Sequence, residues 1–251
     1  MWHHARHFLF STLFALLSAV AAMADPAPLP AVAIVDVNNA PPYRVIRQIG
    51  QRTEYAGLYI DVVKSLAVRL GVTLEFHEVP FRRALDDMEK GKADLMLGPN
   101  RTPAREAFMI YLNEPLPRER KVFFVPPSAP DIVTLADLNG RQIGVLRGAV
   151  YFPAFDTDAK IRKRAVNRYE VAFRMVAKGR LDGVIVPELL GNYLVRSLGV
   201  QVKKATFVAR GQPSYITVSR RSPWAAQVPR LEAELRRMRR VGALARMMGR
   251  Y

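Results

Sequence analysis

Beyond residue 30 the chain alternates short apolar runs with stretches of helical period. Val32–Val37 (VAIVDV) is a β-branched run that reads as a buried strand, followed by the turn-forming Asn38-Asn39-Ala40-Pro41-Pro42. Leu58, Val62, Leu66 and Leu70 recur every four residues, which predicts a helix ending at Gly71. Residues 73–79 read as a second strand, residues 81–90 as a second helix closed by Gly91, and residues 93–97 as a third strand. This is the order of a parallel sheet covered by helices.

The pattern then repeats. Residues 135–139 form a helical turn, 143–146 a strand ending near Gly148, and Asn167 is placed to cap a helix running to Lys178. Residues 181–186 read as a strand, 187–198 as a helix with Pro187 in its first turn, and 206–208 as a last short strand. Two similar α/β units thus lie near 30–120 and 127–212. The apolar runs 121–125 and 215–219 link them, so the fold class is α/β with two lobes, two hinge crossings and a cleft. In residue terms the first lobe takes 25–122 plus 219–251 with a C-terminal helix, and the second takes 123–218.

Composition removes whole classes of chemistry. The chain has no Cys, which excludes disulfides, thiolate metal sites, iron–sulfur clusters and a Cys nucleophile. Three of its four His stand at positions 3, 4 and 7, leaving His77 as the only one beyond the N-terminal segment. No multi-His metal site is available, no cofactor is called for, and His77 reads as a plain strand residue rather than a relay. Residues 1–24 combine a short basic start, an apolar run from Phe8 to Ala22 and Ala22-Met23-Ala24, the small-x-small pattern of a signal peptide cut near Ala24/Asp25. No Cys follows for a lipid, and the run is short for a bilayer span, which needs ~20 residues. The expectation is a periplasmic protein.

The formal net charge is +16. Export argues against a nucleic-acid partner. Basic residues concentrate from Arg220 to Arg250, interleaved with Trp224, Val228, Leu231, Leu235, Met238 and Met248 near helical spacing, which predicts an amphipathic C-terminal helix with a solvated Arg face.

Six motifs in register tie the chain to known proteins. Gly57-Leu58-Tyr59-Ile60-Asp61, Gly91-Lys92-Ala93-Asp94, Arg101-Thr102-Pro103-Ala104-Arg105, Asp137-Leu138-Asn139-Gly140, Gly179-Arg180-Leu181-Asp182 and Gly242-Ala243-Leu244 stand in this order. With them the chain resembles family 3 of the bacterial extracytoplasmic solute-binding proteins, the periplasmic receptors of polar amino-acid ABC importers. The resemblance implies a type II periplasmic binding protein fold, an inner-membrane ABC permease as partner and a monomer.

Thr102 to Arg105 follows a strand end and opens a short helix, where free N–H groups favour an anion, and Arg105 adds a planar fork for a carboxylate. A surface ion pair with Glu106 is the plain alternative. In the resembled family the matching Arg holds the ligand's α-carboxylate, which makes Arg105 the leading site residue. The resemblance also implies ligand contacts from Gly98 and Asn100, aromatic packing from Phe81 and Tyr43, and a first-lobe acid near Asp36. In the second lobe the family's hydroxyl residue is replaced by Val150, whose backbone remains, and its ammonium-binding Asp by Pro187 with Glu188 next. Arg147 is a further cation able to face the cleft. A buried ammonium without a carboxylate costs several kcal/mol. The expected ligand is therefore a small carboxylate without a standard α-amino group, or one whose amine meets Glu188.

The leading reading is a non-enzymatic receptor that closes over this solute. Two alternatives stand beside it. One is a cyclohexadienyl-dehydratase-like enzyme with Glu188 as general acid; the other is a receptor serving a sensor instead of a transporter.

Overall fold

The computed structural model describes residues 28–251, so the signal peptide expected over 1–24 and its cut lie outside the described residues. The first lobe contains β1 (Val32–Val37), β2 (Val45–Ile49), β3 (Arg52–Ala56), α1 (Leu58–Leu70), β4 (Thr73–Glu78), α2 (Phe81–Lys90), β5 (Leu95–Leu97), α3 (Pro103–Glu106), β6 (Met109–Tyr111) and β7 (Leu116–Arg118). The second runs through β8 (Lys121–Val125), β9 (Gln142–Leu146), α4 (Pro153–Asp156), β10 (Arg162–Val166), α5 (Tyr169–Ala177), β11 (Gly183–Pro187), α6 (Glu188–Leu198) and β12 (Lys203–Ala209). The chain returns through β13 (Pro213–Ser214) and β14 (Ile216–Ser219) to α7 (Val228–Arg240) and α8 (Ala243–Met248).

The two sheets have the orders β4-β1-β5-β14-β6 and β10-β9-β11-β8-β12. Each has three parallel strands and, in fourth place, a strand antiparallel to both neighbours. This is the two-lobed type II architecture. Helices α1 and α2 end at Gly71 and Gly91, both left-handed, as their periodicity predicts. Strand β8 is buried on both faces: Val122 and Phe124 enter one core cluster, Phe123 and Val125 the other.

Several expectations change. Residues 121–125 are an inner strand of the second sheet and 216–219 an inner strand of the first, so neither run is a free hinge. The crossing falls beside them, where β7 and β13 pair antiparallel. Asn167 caps nothing: Arg168 occupies the N-cap of α5, and the Asn167 side chain accepts a hydrogen bond from Arg147 Nε. The expected C-terminal helix is two helices, broken at Gly242 with φ 68°; Trp224, Leu231, Leu235 and Met238 are buried while Met248 is exposed. The β2–β3 hairpin is an addition. Its strands carry exposed polar side chains and Ile49 at the tip, so no apolar run marked it.

Candidate functional site

The site begins where β1 ends. Gly57, at φ 105°, brings the start of α1 against the preceding loop, and a Cβ there would lie 2.7 Å from Pro42 O and 2.8 Å from Tyr43 O. That approach lets the N–H groups of Leu58 and Tyr59 donate to Pro42 O and Tyr43 O at 3.1 and 2.9 Å. Tyr43 is thereby set against the Tyr59 ring, 5.1 Å between centroids, and Arg44 is turned inward. Arg44 donates from Nη1 to Leu97 O at 2.7 Å and from Nε to Asn38 O at 3.2 Å. Its path runs over Gly98, whose missing Cβ would stand 2.6 Å from Arg44 Nη1 and from the Tyr59 ring.

Arg105 sits on α3, a single turn with Pro103 at its start. The backbone N–H of Arg105 is taken by the Thr102 cap, so the anion-binding capacity expected of the helix start rests on the guanidinium instead. That group is buried above the Phe81 ring, 5.7 Å from its centroid. It donates to Asn100 O at 2.7 Å and, across the cleft, to Gly148 O at 2.7 Å. Asn100 Nδ2 makes a second cross-lobe bond, 2.8 Å to Val150 O. Glu106 is paired with Arg101, which removes the surface-pair alternative for Arg105. Burial pulls both Arg105 and Arg44 below the ordinary guanidinium pKa.

The chain next contributes at the crossing. Side chains alternate in an extended segment, so Glu119 and Lys121 point one way and Arg120 the other. Glu119 accepts from Tyr59 Oη at 2.7 Å and from Lys121 Nζ at 2.8 Å. Burial alone would raise the Glu119 carboxyl, but Lys121 and Tyr59 outweigh it and hold its pKa below the ordinary value. On the opposite side Arg120 and Lys204 both pair with Glu188.

Between the lobes these groups line a cavity of about 50 Å³. One water needs roughly 10–15 Å³ of such space, so the cavity suits a small solute. Six of the eight residues singled out from the sequence meet in it: Tyr43, Phe81, Gly98, Asn100, Arg105 and Val150. Two do not. Asp36 is buried 3.7 Å from His77, beside Asp87 and Arg83. Glu188 is tied to its two cations, and its carboxyl lies below the ordinary range, through the Lys204 hydrogen bond foremost. Arg147 is bound to Asn167 and does not line the cavity, whereas Pro187 does. The charged residues missed in the sequence are Arg44, Glu119 and Lys121; the aromatic ones are Tyr151 and Tyr169, joined by a 3.0 Å hydrogen bond between hydroxyls. Period-two alternation in Glu119-Arg120-Lys121 was the available signal. Arg44 carried none.

Among solved structures the fold is similar to an ancestral arginine-binding protein bound to arginine, with a TM-score of 0.77, 21% identity, and coverage of 88% of this chain and 98% of that one. It is also similar to an amino acid ABC transporter substrate-binding protein from Streptococcus pneumoniae bound to L-arginine, with TM-score 0.74, 20% identity and coverage of 87% and 93%. A histidine kinase sensor domain with similarity to periplasmic binding proteins aligns with TM-score 0.74, 20% identity and coverage of 88% and 95%. At these identities the likeness speaks for the fold. No curated protein sequence matches the chain. Among the described residues no helix is long and apolar enough to cross a membrane. Residues 32–251 match the bacterial extracellular solute-binding proteins, family 3, and a match across nearly all the described residues means that the chain belongs to that family.

Proposed function

We propose that the protein is a periplasmic receptor that captures a small carboxylate-bearing solute by closing its two lobes and delivers it to an inner-membrane ABC permease. The observation that carries this reading is Arg105: a buried guanidinium from the first lobe, lying in the cleft and bonded to backbone of the second. A ligand carboxylate presented to that fork is held bidentately, and its charge offsets a cation whose direct hydrogen bonds go to the carbonyl oxygens of Asn100 and Gly148. The lobes divide where β7 meets β13, near residues 119 and 212, and motion about that pair opens the cleft. The receptor works as a monomer, without a cofactor or nucleic acid.

A sensor reading stands beside transport, because a histidine kinase sensor domain shares the fold. Deleting the chain's gene separates the two: loss of solute uptake supports transport, and loss of a transcriptional response with uptake intact supports sensing. The dehydratase alternative loses its proposed acid, since Glu188 is ion-paired outside the cavity with a lowered pKa. Thermal unfolding with a panel of carboxylates tests the receptor reading. A ligand at 100 times its Kd adds about 2.7 kcal/mol of stability. That raises the midpoint by several degrees in the native protein, and Arg105→Ala abolishes the shift. No shift with any carboxylate, in protein that releases no bound solute on denaturation, overturns it.

A further inference from the structure

The charged groups of the cavity fall into two sets. At one end Arg105 lies above Phe81 with Asn100, Gly148 and Val150 around it. At the other, Lys121 pairs with the Glu119 carboxylate, which also takes the Tyr59 hydroxyl, and Arg44, bonded to backbone carbonyls, acts on that carboxylate electrostatically. All four charged side chains are buried. Among the described residues lining the cavity there are three cations and one anion, so each end carries an excess of one positive charge.

We infer that the ligand is a small dianion, a dicarboxylate without an amino group, with one carboxylate at Arg105 and the other between Arg44 and Lys121. This rests on the receptor reading above and specifies its solute. Four observations lead to it. Two separate positive ends call for two negative groups, because buried charge left unbalanced is strongly unfavourable. Among the described residues no second-lobe carboxylate lines the cavity: Pro187 brings no charge to its wall, the Glu188 carboxylate faces Arg120 and Lys204, and Asp156, whose charge reaches Arg105, is held by the Tyr151 backbone N–H. The Glu119 oxygens are each already engaged, one by Tyr59 and one by Lys121. An ammonium group entering here would meet a net positive wall. A cavity of about 50 Å³ suits a molecule of four or five carbons better than a long cationic side chain.

The experiment is calorimetric titration of the purified protein with succinate, glutarate, L-aspartate, L-glutamate, L-arginine and butyrate. Succinate or glutarate is expected to bind at least tenfold more tightly than butyrate and than its own amino-acid counterpart. Two variants then act in opposite directions. Lys121→Met weakens the dicarboxylate about tenfold toward the butyrate value, whereas Glu119→Gln tightens it by removing a repulsive charge. A general loss of fold cannot produce that pair of signs, and matched thermal midpoints identify folded variants. The proposal is overturned if an amino acid binds more tightly than its deaminated counterpart, if Glu119→Gln abolishes binding, or if Lys121→Met leaves succinate and glutarate unaffected. Binding of an amino acid that is lost in Arg105→Ala would sink the dianion while leaving the receptor reading intact. If nothing in the panel binds, the dianion falls. Mass spectrometry of small molecules released from the denatured native protein then judges the receptor: a retained solute, absent from Arg105→Ala, keeps it.

Discussion

The two lobes face the cavity with opposite chemistry. The first sends in two buried guanidinium groups, Arg44 and Arg105, each supported by backbone carbonyls of its own lobe. Beyond Lys121, at its very start, the second lobe shows only neutral groups: the carbonyls of Gly148 and Val150, the linked hydroxyls of Tyr151 and Tyr169, and the apolar faces of Pro187 and Leu190. On the receptor reading proposed above, selection between ligands of different charge sits in a handful of first-lobe and crossing residues, and the second lobe shapes what fits.

The sharpest way to break this contrast is Arg105→Ala. It removes the charge and leaves Gly148 O without its side-chain donor, while Asn100 O keeps the Tyr111 hydroxyl, and calorimetry should show carboxylate binding weakened at least 100-fold, about 2.7 kcal/mol. Next is Gly98→Ala. Its Cβ would enter the space of Arg44 Nη1 and the Tyr59 ring at 2.6 Å, at φ 83°, so urea unfolding should show a loss of about 2–3 kcal/mol.

The first lobe also holds an acid pair behind the site, and it makes that lobe's stability pH-sensitive. Burial pushes the Asp36 carboxyl up to about 6, Asp87 adds to this, and His77 and Arg83 oppose it. The folded state thus binds the Asp36 proton more tightly than the unfolded chain. That contribution is full below about pH 4 and is lost as pH rises through about 6. Asp36→Asn should accordingly gain stability relative to the native chain between pH 4 and 8, by up to roughly 3 kcal/mol, in denaturation curves taken across that range.

How much of this was legible follows from what kind of signal each residue carried. Helices α1 and α2 were readable to the residue, since Leu58, Val62, Leu66 and Leu70 repeat and a glycine closes each helix. The β2–β3 hairpin and the two- and three-residue strands β13 and β7 were not, because their stability comes from pairing and not from an apolar run. Arg105 was readable because it stands in a motif. A lone Arg44, or Glu119 and Lys121 within Arg118-Glu119-Arg120-Lys121, looks like a solvated surface; their burial exists only once the crossing segments and α1 close over them. Asp36 misled for the converse reason: it lies at the end of the right strand, but its side chain turns toward α2.

Two smaller effects sharpen the contrast from the second lobe. Pro187→Asp places a carboxylate at the N-cap of α6, where Asp is well tolerated, and at the cavity wall. Titration should show the amino acid gaining about tenfold on its deaminated counterpart, 1.4 kcal/mol. Glu188→Gln, which only loosens the links to Arg120 and Lys204, should leave ligand affinity unchanged and lower stability by less than about 1 kcal/mol in the same denaturation assay.

The position of β14 has a consequence for how the molecule assembles. Strands β5 and β6 are joined in the first sheet only through β14, whose residues are made roughly a hundred positions later. The second sheet draws all its strands from one unbroken stretch, 121–209. A chain lacking its last forty residues can therefore complete the second lobe's sheet but leaves open edges in the middle of the first lobe's. Those edges are the surface that an assembling chain must keep from other strands until residues 216–219 arrive.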